Sequence, residues 1–127
     1  MEKGALLVRG NVDGDAGNRM RGGVIIIDGS VHRDAGHGMT YGLILVRGNA
    51  GRVGPQMKDG MISIMGDAGD WTGNAMKGGY IHIHGDAGEY LGESMSCGCI
   101  RVDGNIKSLG HIKGGSVYNK GKKIAGE

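Results

Sequence analysis

The sequence predicts an all-β fold, a single-stranded right-handed parallel β-helix of about six 19-residue coils. Three observations carry this reading. Glycine supplies 29 of the 127 residues, against a usual share of ~7 %, and the longest glycine-free stretch, residues 30–35, is too short for a globular helix. Gly10, Gly29, Gly48, Gly66, Gly85 and Gly104 recur at intervals of 19, 19, 18, 19 and 19 residues, which marks a stacked repeat. A short β-branched segment closes each repeat. Collagen is excluded, because the glycines keep no three-residue period and proline occurs once.

The elements follow in chain order. Five-residue segments begin at Ala5, Val24, Leu43, Met61, Tyr80 and Cys99, each preceded by glycine. From the second coil on, their second and fourth positions are always Ile or Val, as in Ile25/Ile27, Ile62/Ile64 and Ile100/Val102, while the other positions vary. Alternation of period two turns the uniform pair inward. After each anchor glycine comes a small or aliphatic residue, Val12, Val31, Ala50, Ala68, Ala87 and Ile106, expected to face the same core. A methionine column, Met20, Met39, Met57, Met76 and Met95, fills a third inward position, where a flexible thioether suits a narrow gap. Gly17, Gly36, Gly54, Gly73 and Gly92 form a second glycine column, and Gly23, Gly42, Gly60, Gly79 and Gly98 a third. Glycine at such corners serves positive φ or a close approach of neighbouring coils. The single 18-residue interval places one deletion between Gly51 and Gly54. No such unit buries a face alone, so copies must stack. The right-handed crossover is the expected hand.

The chain is read as a single domain over 1–127, with repeats over about 5–104 and an irregular basic C-terminal coil and tail over 105–127. In that tail Lys107, Lys113, Lys120, Lys122 and Lys123 face only Glu127; solvated lysines there would discourage edge pairing. Met1 to Gly4 is too short to cap the first coil. No apolar run approaches the ~20 residues of a membrane span, and the start carries no signal pattern. Cys97 and Cys99 flank one glycine, an awkward spacing for a disulfide. Reduced thiols and a cytoplasmic location are expected, with a net charge of +2 that selects no partner. Neither membrane nor nucleic acid is an expected partner.

The units Gly66-Asp67-Ala68-Gly69-Asp70-Trp71-Thr72-Gly73-Asn74-Ala75-Met76-Lys77-Gly78-Gly79-Tyr80-Ile81-His82-Ile83 and Gly85-Asp86-Ala87-Gly88-Glu89-Tyr90-Leu91-Gly92-Glu93-Ser94-Met95 resemble the G-[DN]-A-G-x-x-x-G-x-x-M-x-G-G-x-I-x-V repeat of the β-helical scaffold subunit of formylmethanofuran dehydrogenase. The same G-x-G-x-G superfamily includes the C-terminal β-helix domain of the glutamate synthase large subunit, whose style is nearest at Ala35-Gly36-His37-Gly38-Met39. The resemblance covers about residues 5–104. It implies a scaffold within a complex that reversibly reduces CO2 to formylmethanofuran, in one-carbon metabolism and methanogenesis. The molybdenum or tungsten pterin and the iron–sulfur clusters would then belong to partner subunits, with no cofactor in this chain. The alternative is a free-standing glutamate synthase-type domain.

Sites of the chain's own are few. Val24, Ile26, Leu43, Leu45, Met61, Met65 and Tyr80 fall on outward positions and predict an apolar interface. It would be covered by another subunit, by a second copy or by the chain's own tail. His82 and His84 share the outer face of one strand, with Asp103 on the next coil, which is a metal-ligand pattern. Arg101 beside His82 argues against a cation there, so two solvated surface histidines are the expectation and a small metal-dependent enzyme the alternative. Cys97-Gly98-Cys99 lacks a second pair for zinc and is read as packing. No nucleophile elbow, dinucleotide fingerprint or phosphate loop occurs. Acids such as Asp13, Asp15, Asp67 and Asp70 are read as turn residues, and no catalytic or cofactor-binding residue is predicted.

Overall fold

In the computed structural model, which describes residues 3–126, eight strands lie side by side in one sheet in chain order. They are β1 (Ala5–Val8), β2 (Val24–Ile27), β3 (Leu43–Val46), β4 (Met61–Ile64), β5 (Tyr80–Ile83), β6 (Cys99–Val102), β7 (Ser116–Asn119) and β8 (Lys122–Gly126). The first seven pair in parallel, so each turn of chain returns to lie beside the one before it. There is no helix among the described residues. The result is the expected parallel β-solenoid. Its seven parallel strands are four residues long rather than five, because the fifth residue starts the turn while its N–H still bonds the previous coil, as His84 does to Ile64 O at 2.9 Å.

Register explains the Ile/Val columns. Ile25, Ile44, Ile62, Ile81, Ile100 and Val117 pair in succession, so like stacks on like at the ~4.8 Å strand spacing. All six are buried, as are Met20, Met39, Met57, Met76 and Met95 and the small residues Val31, Ala50, Ala68 and Ala87. A fourth inward column, Ala16, Ala35, Val53, Thr72 and Leu91, joins them. Thr72 is the reason it escapes a hydrophobicity pattern. Its hydroxyl is buried but satisfied, accepting from Val53 N at 3.3 Å and donating to Gly69 O at 3.2 Å. Bridges link Val31 to Ala50 and Ala35 to Val53, which confines the one-residue deletion to the Gly51-Arg52 turn.

One corner is held by side chains. Asn11 Oδ1 accepts from Ser30 N, Ser30 Oγ from Asn49 N, Asn49 Oδ1 from Asp67 N, Asp67 Oδ1 from Asp86 N and Asp86 Oδ1 from Asn105 N, all at 2.7–2.9 Å. Each short acceptor therefore satisfies the equivalent backbone N–H one coil further on. This ladder explains the anchor glycines from Gly29 on; at Gly10 a Cβ would meet nothing, and glycine serves a φ of +110° instead. A Cβ at Gly85 would collide with Asp67 Oδ1 and lie 2.7 Å from Gly66 O. The third glycine column is needed for its conformation as well: Gly98 has φ +96° and precedes β6, in a region that penalises any Cβ.

The C-terminal region is more regular than expected. Residues 105–115 close a further, shortened coil with Ile106 bridged to Ala87 and Leu109 to Leu91, and β7 stacks on β6 with Val117 buried. Asn119 then replaces the inward Val or Ile, and its amide donates to Val102 O at 3.0 Å and Gly104 O at 2.8 Å. Lys120 and Gly121 both take positive φ, 52° and 82°, the requirement of a type I′ hairpin turn. The tail thus returns as antiparallel β8, and exposed Lys122 and Lys123 edge the sheet, in keeping with the expected deterrent to edge pairing. At the other end β1 has one neighbour, and its inward Leu6 is 49 % exposed. Met1 and Glu2, part of the segment expected to be too short for a cap, and Glu127 lie outside the described residues.

Candidate functional site

The outer face of the sheet is built by the residues that alternate with the buried ladder. Its two halves differ. Across β2–β4 it presents Val24, Ile26, Leu43, Leu45 and Met61, the first four half-buried by their neighbours and Met61 39 % exposed. Met65, in the turn after β4, is 48 % exposed, and Tyr80 is half-buried at the start of β5. The structure brings all seven predicted interface residues onto one surface. It also adds the exposed Leu7 of β1, which pairs with Ile26. The C-terminal segment does not cover this surface, since β8 extends the sheet at its edge.

Across β5 and β6 the same face turns polar. His82 projects from β5, whose Ile81 and Ile83 are fully buried, whereas His84, expected on the same strand, opens the turn that follows it, and Asp103 follows buried Val102 at the equivalent place one coil on. His82 Nε2 stands 3.0 Å from Asp103 Oδ2 and His84 Nδ1 stands 3.6 Å from the same oxygen. The two imidazoles stack at 4.0 Å between centroids, and Ser63 Oγ lies 3.5 Å from His84 Nε2. The hydrogen bond from His82 holds the Asp103 carboxyl below its usual range, helped by the positive charge of Arg101 and by His84. Arg101 lies beside Asp103 with its Nε 3.6 Å from Oδ1, whereas the imidazoles contact Oδ2.

Two features are not legible in the columns. A surface cavity of about 440 Å³ is lined by Arg19, Arg21, His37, Lys58 and Lys77, with Thr40 and Gln56 among its other walls. These basic residues flank the methionine column in successive coils, so they are separated in sequence and adjacent in space. On another corner Trp71 stacks on Tyr90 at 4.4 Å, one coil apart. The acids read as turn residues also have a second role. Asp15 Oδ1 accepts from Asp34 N at 2.9 Å and Asp70 Oδ1 from Glu89 N at 2.7 Å; that bond to the backbone, with another from Asn18, lowers the pKa of Asp15. Cys97 and Cys99 are free thiols, and burial pushes the Cys99 thiol up, which keeps it from forming the reactive thiolate.

No known family model matches this chain, and no curated protein matches it.

Proposed function

We propose that the chain is a non-catalytic β-solenoid scaffold that docks a partner subunit on the apolar half of its outer sheet face. The observation that carries this is the run of Leu7, Val24, Ile26, Leu43, Leu45 and Met61 across neighbouring strands of one sheet face, with no other segment of the described chain laid over it. Contiguous apolar surface of that kind marks association. The resemblance of the Gly-Asp-Ala-Gly and Met-x-Gly-Gly units to the scaffold subunit of formylmethanofuran dehydrogenase supplies the class of partner: an oxidoreductase polypeptide that holds the pterin metal or iron–sulfur clusters. A glutamate synthase-type assembly is the second reading, favoured by the Ala35-Gly36-His37-Gly38-Met39 coil.

The test is tagged purification from the native organism, followed by mass spectrometry and metal analysis. A stoichiometric molybdenum or tungsten oxidoreductase partner, lost with Ile26→Asp/Leu45→Asp, is the expected result. An amidotransferase or synthase partner would favour the second reading. Recovery of the chain without a stoichiometric partner would overturn the proposal.

A further inference from the structure

We propose that His82, His84 and Asp103 form a binding site for one first-row divalent transition ion of the zinc(II) or iron(II) class. The ligand set is two imidazoles and one carboxylate, which suits these ions and leaves coordination positions open. Distances between the donors carry the inference. Donor atoms around a tetrahedral ion bonded at ~2.0–2.1 Å stand about 3.3 Å apart, and cis donors of an octahedral one about 3.0 Å apart. Here Asp103 Oδ2 lies 3.0 Å from His82 Nε2 and 3.6 Å from His84 Nδ1, and all three donor atoms fall within 4.8 Å of one another. The two edges that meet at Asp103 Oδ2 are already close to the size an ion requires, and the two imidazoles would close the third on binding.

The solenoid makes this geometry stiff. His82 and His84 alternate with Ile81 and Ile83 in the core, and the backbone N–H groups of His84 and Asp103 bond the previous coil at Ile64 O and Ile83 O, each 2.9 Å away. Ser63, itself nearly buried, faces Nε2 of His84. A proton shared there leaves the Nδ1 lone pair for the ion, the usual work of an outer partner on a ligating histidine. His82 would bind through Nε2, giving up its hydrogen bond to Asp103. Sequence reasoning set Arg101 against a cation. In the structure its guanidinium approaches Oδ1 and leaves Oδ2 to the histidines. Its charge weakens the site without occupying it. The site adjoins the apolar docking surface at Tyr80, whose ring centroid lies 6.2 Å from that of His82, but its ligands are not docking residues, so its failure would leave the scaffold proposal standing.

The experiment is equilibrium dialysis of the full chain against zinc(II), with cobalt(II) absorption as a reporter of ligand number and imidazole NMR following His82 and His84. One equivalent of zinc at a Kd of about 10 µM or tighter is expected. His82→Ala, His84→Ala and Asp103→Asn should each weaken it by at least ~10-fold, and Arg101→Gln should tighten it. Cys97→Ser/Cys99→Ser should leave it unchanged. The proposal is overturned by no saturable binding up to ~100 µM, by binding indifferent to the histidine variants, or by binding abolished by the cysteine pair. In the wild-type chain, zinc that leaves both imidazole spectra unmoved has the same consequence, whatever the variants do.

Discussion

Strands β2 and β5 bury equivalent pairs, Ile25/Ile27 and Ile81/Ile83, yet turn Val24 and Ile26 outward in one and Tyr80 and His82 in the other. The inner Ile/Val ladder of the sheet repeats because each side chain packs on its counterpart in the next coil. The outer positions meet only solvent or a partner. Their drift from aliphatic in β2–β4 to imidazole, guanidinium and carboxylate around β5–β6 is therefore free to carry function. A solenoid separates the two tasks by residue parity.

The sharpest way to break that separation is to truncate neighbours of opposite parity. Ile81→Ala removes a fully buried side chain and should cost about 2–5 kcal/mol in chemical denaturation; His82→Ala, one residue away, should cost no more than about 1 kcal/mol, the scale of its hydrogen bond to Asp103. Equal losses would mean that the outer face also specifies the fold. Gly85→Ala comes next. Its new Cβ meets Asp67 Oδ1 and the Gly66 carbonyl, and a loss of about 1–3 kcal/mol is expected, whereas Gly121→Ala, with nothing within 4 Å, suffers only from its positive φ, about 1 kcal/mol. If the two cost the same, the acceptor ladder is not what excludes a side chain from the anchor column.

The smallest effect is pH dependence at Asp15. Its folded pKa is lowered by the bond from Asp34 N, so its contribution is full above the ordinary carboxylate range and fades as pH falls through that range and below. Thermal melts taken from roughly pH 6 down to pH 2 should show a shallower decline for Asp15→Asn than for the wild type. An identical decline would mean that the bond from Asp34 N does not favour the ionised Asp15 carboxylate.

Much of the fold was legible because its determinants are one-residue columns: glycine, methionine and Ile/Val recur at fixed offsets, and each offset is a place in the coil. The Ala16 to Leu91 column was hidden by Thr72, whose polarity is cancelled only by partners three residues away and one coil back. The last coil was hidden by its shortened turns, although Gly115, Val117 and the Lys120-Gly121 turn were its traces. The candidate site was visible as a pairing of residues, His82 with His84 and Asp103. The direction of Arg101 and the place of Ser63 were not, since both depend on rotamers in neighbouring coils.

The central claim, that the interior carries the fold and the apolar half of the outer face carries assembly, is tested most directly by native mass spectrometry of the protein purified from its host. It should be run alongside circular dichroism, for the wild type and Ile26→Asp/Leu45→Asp. The variant should keep the β-sheet spectrum and appear as a lone chain, where the wild type appears with its partner. A variant that remains in the same assembly, or one that loses its β-sheet spectrum together with its partner, would contradict the claim.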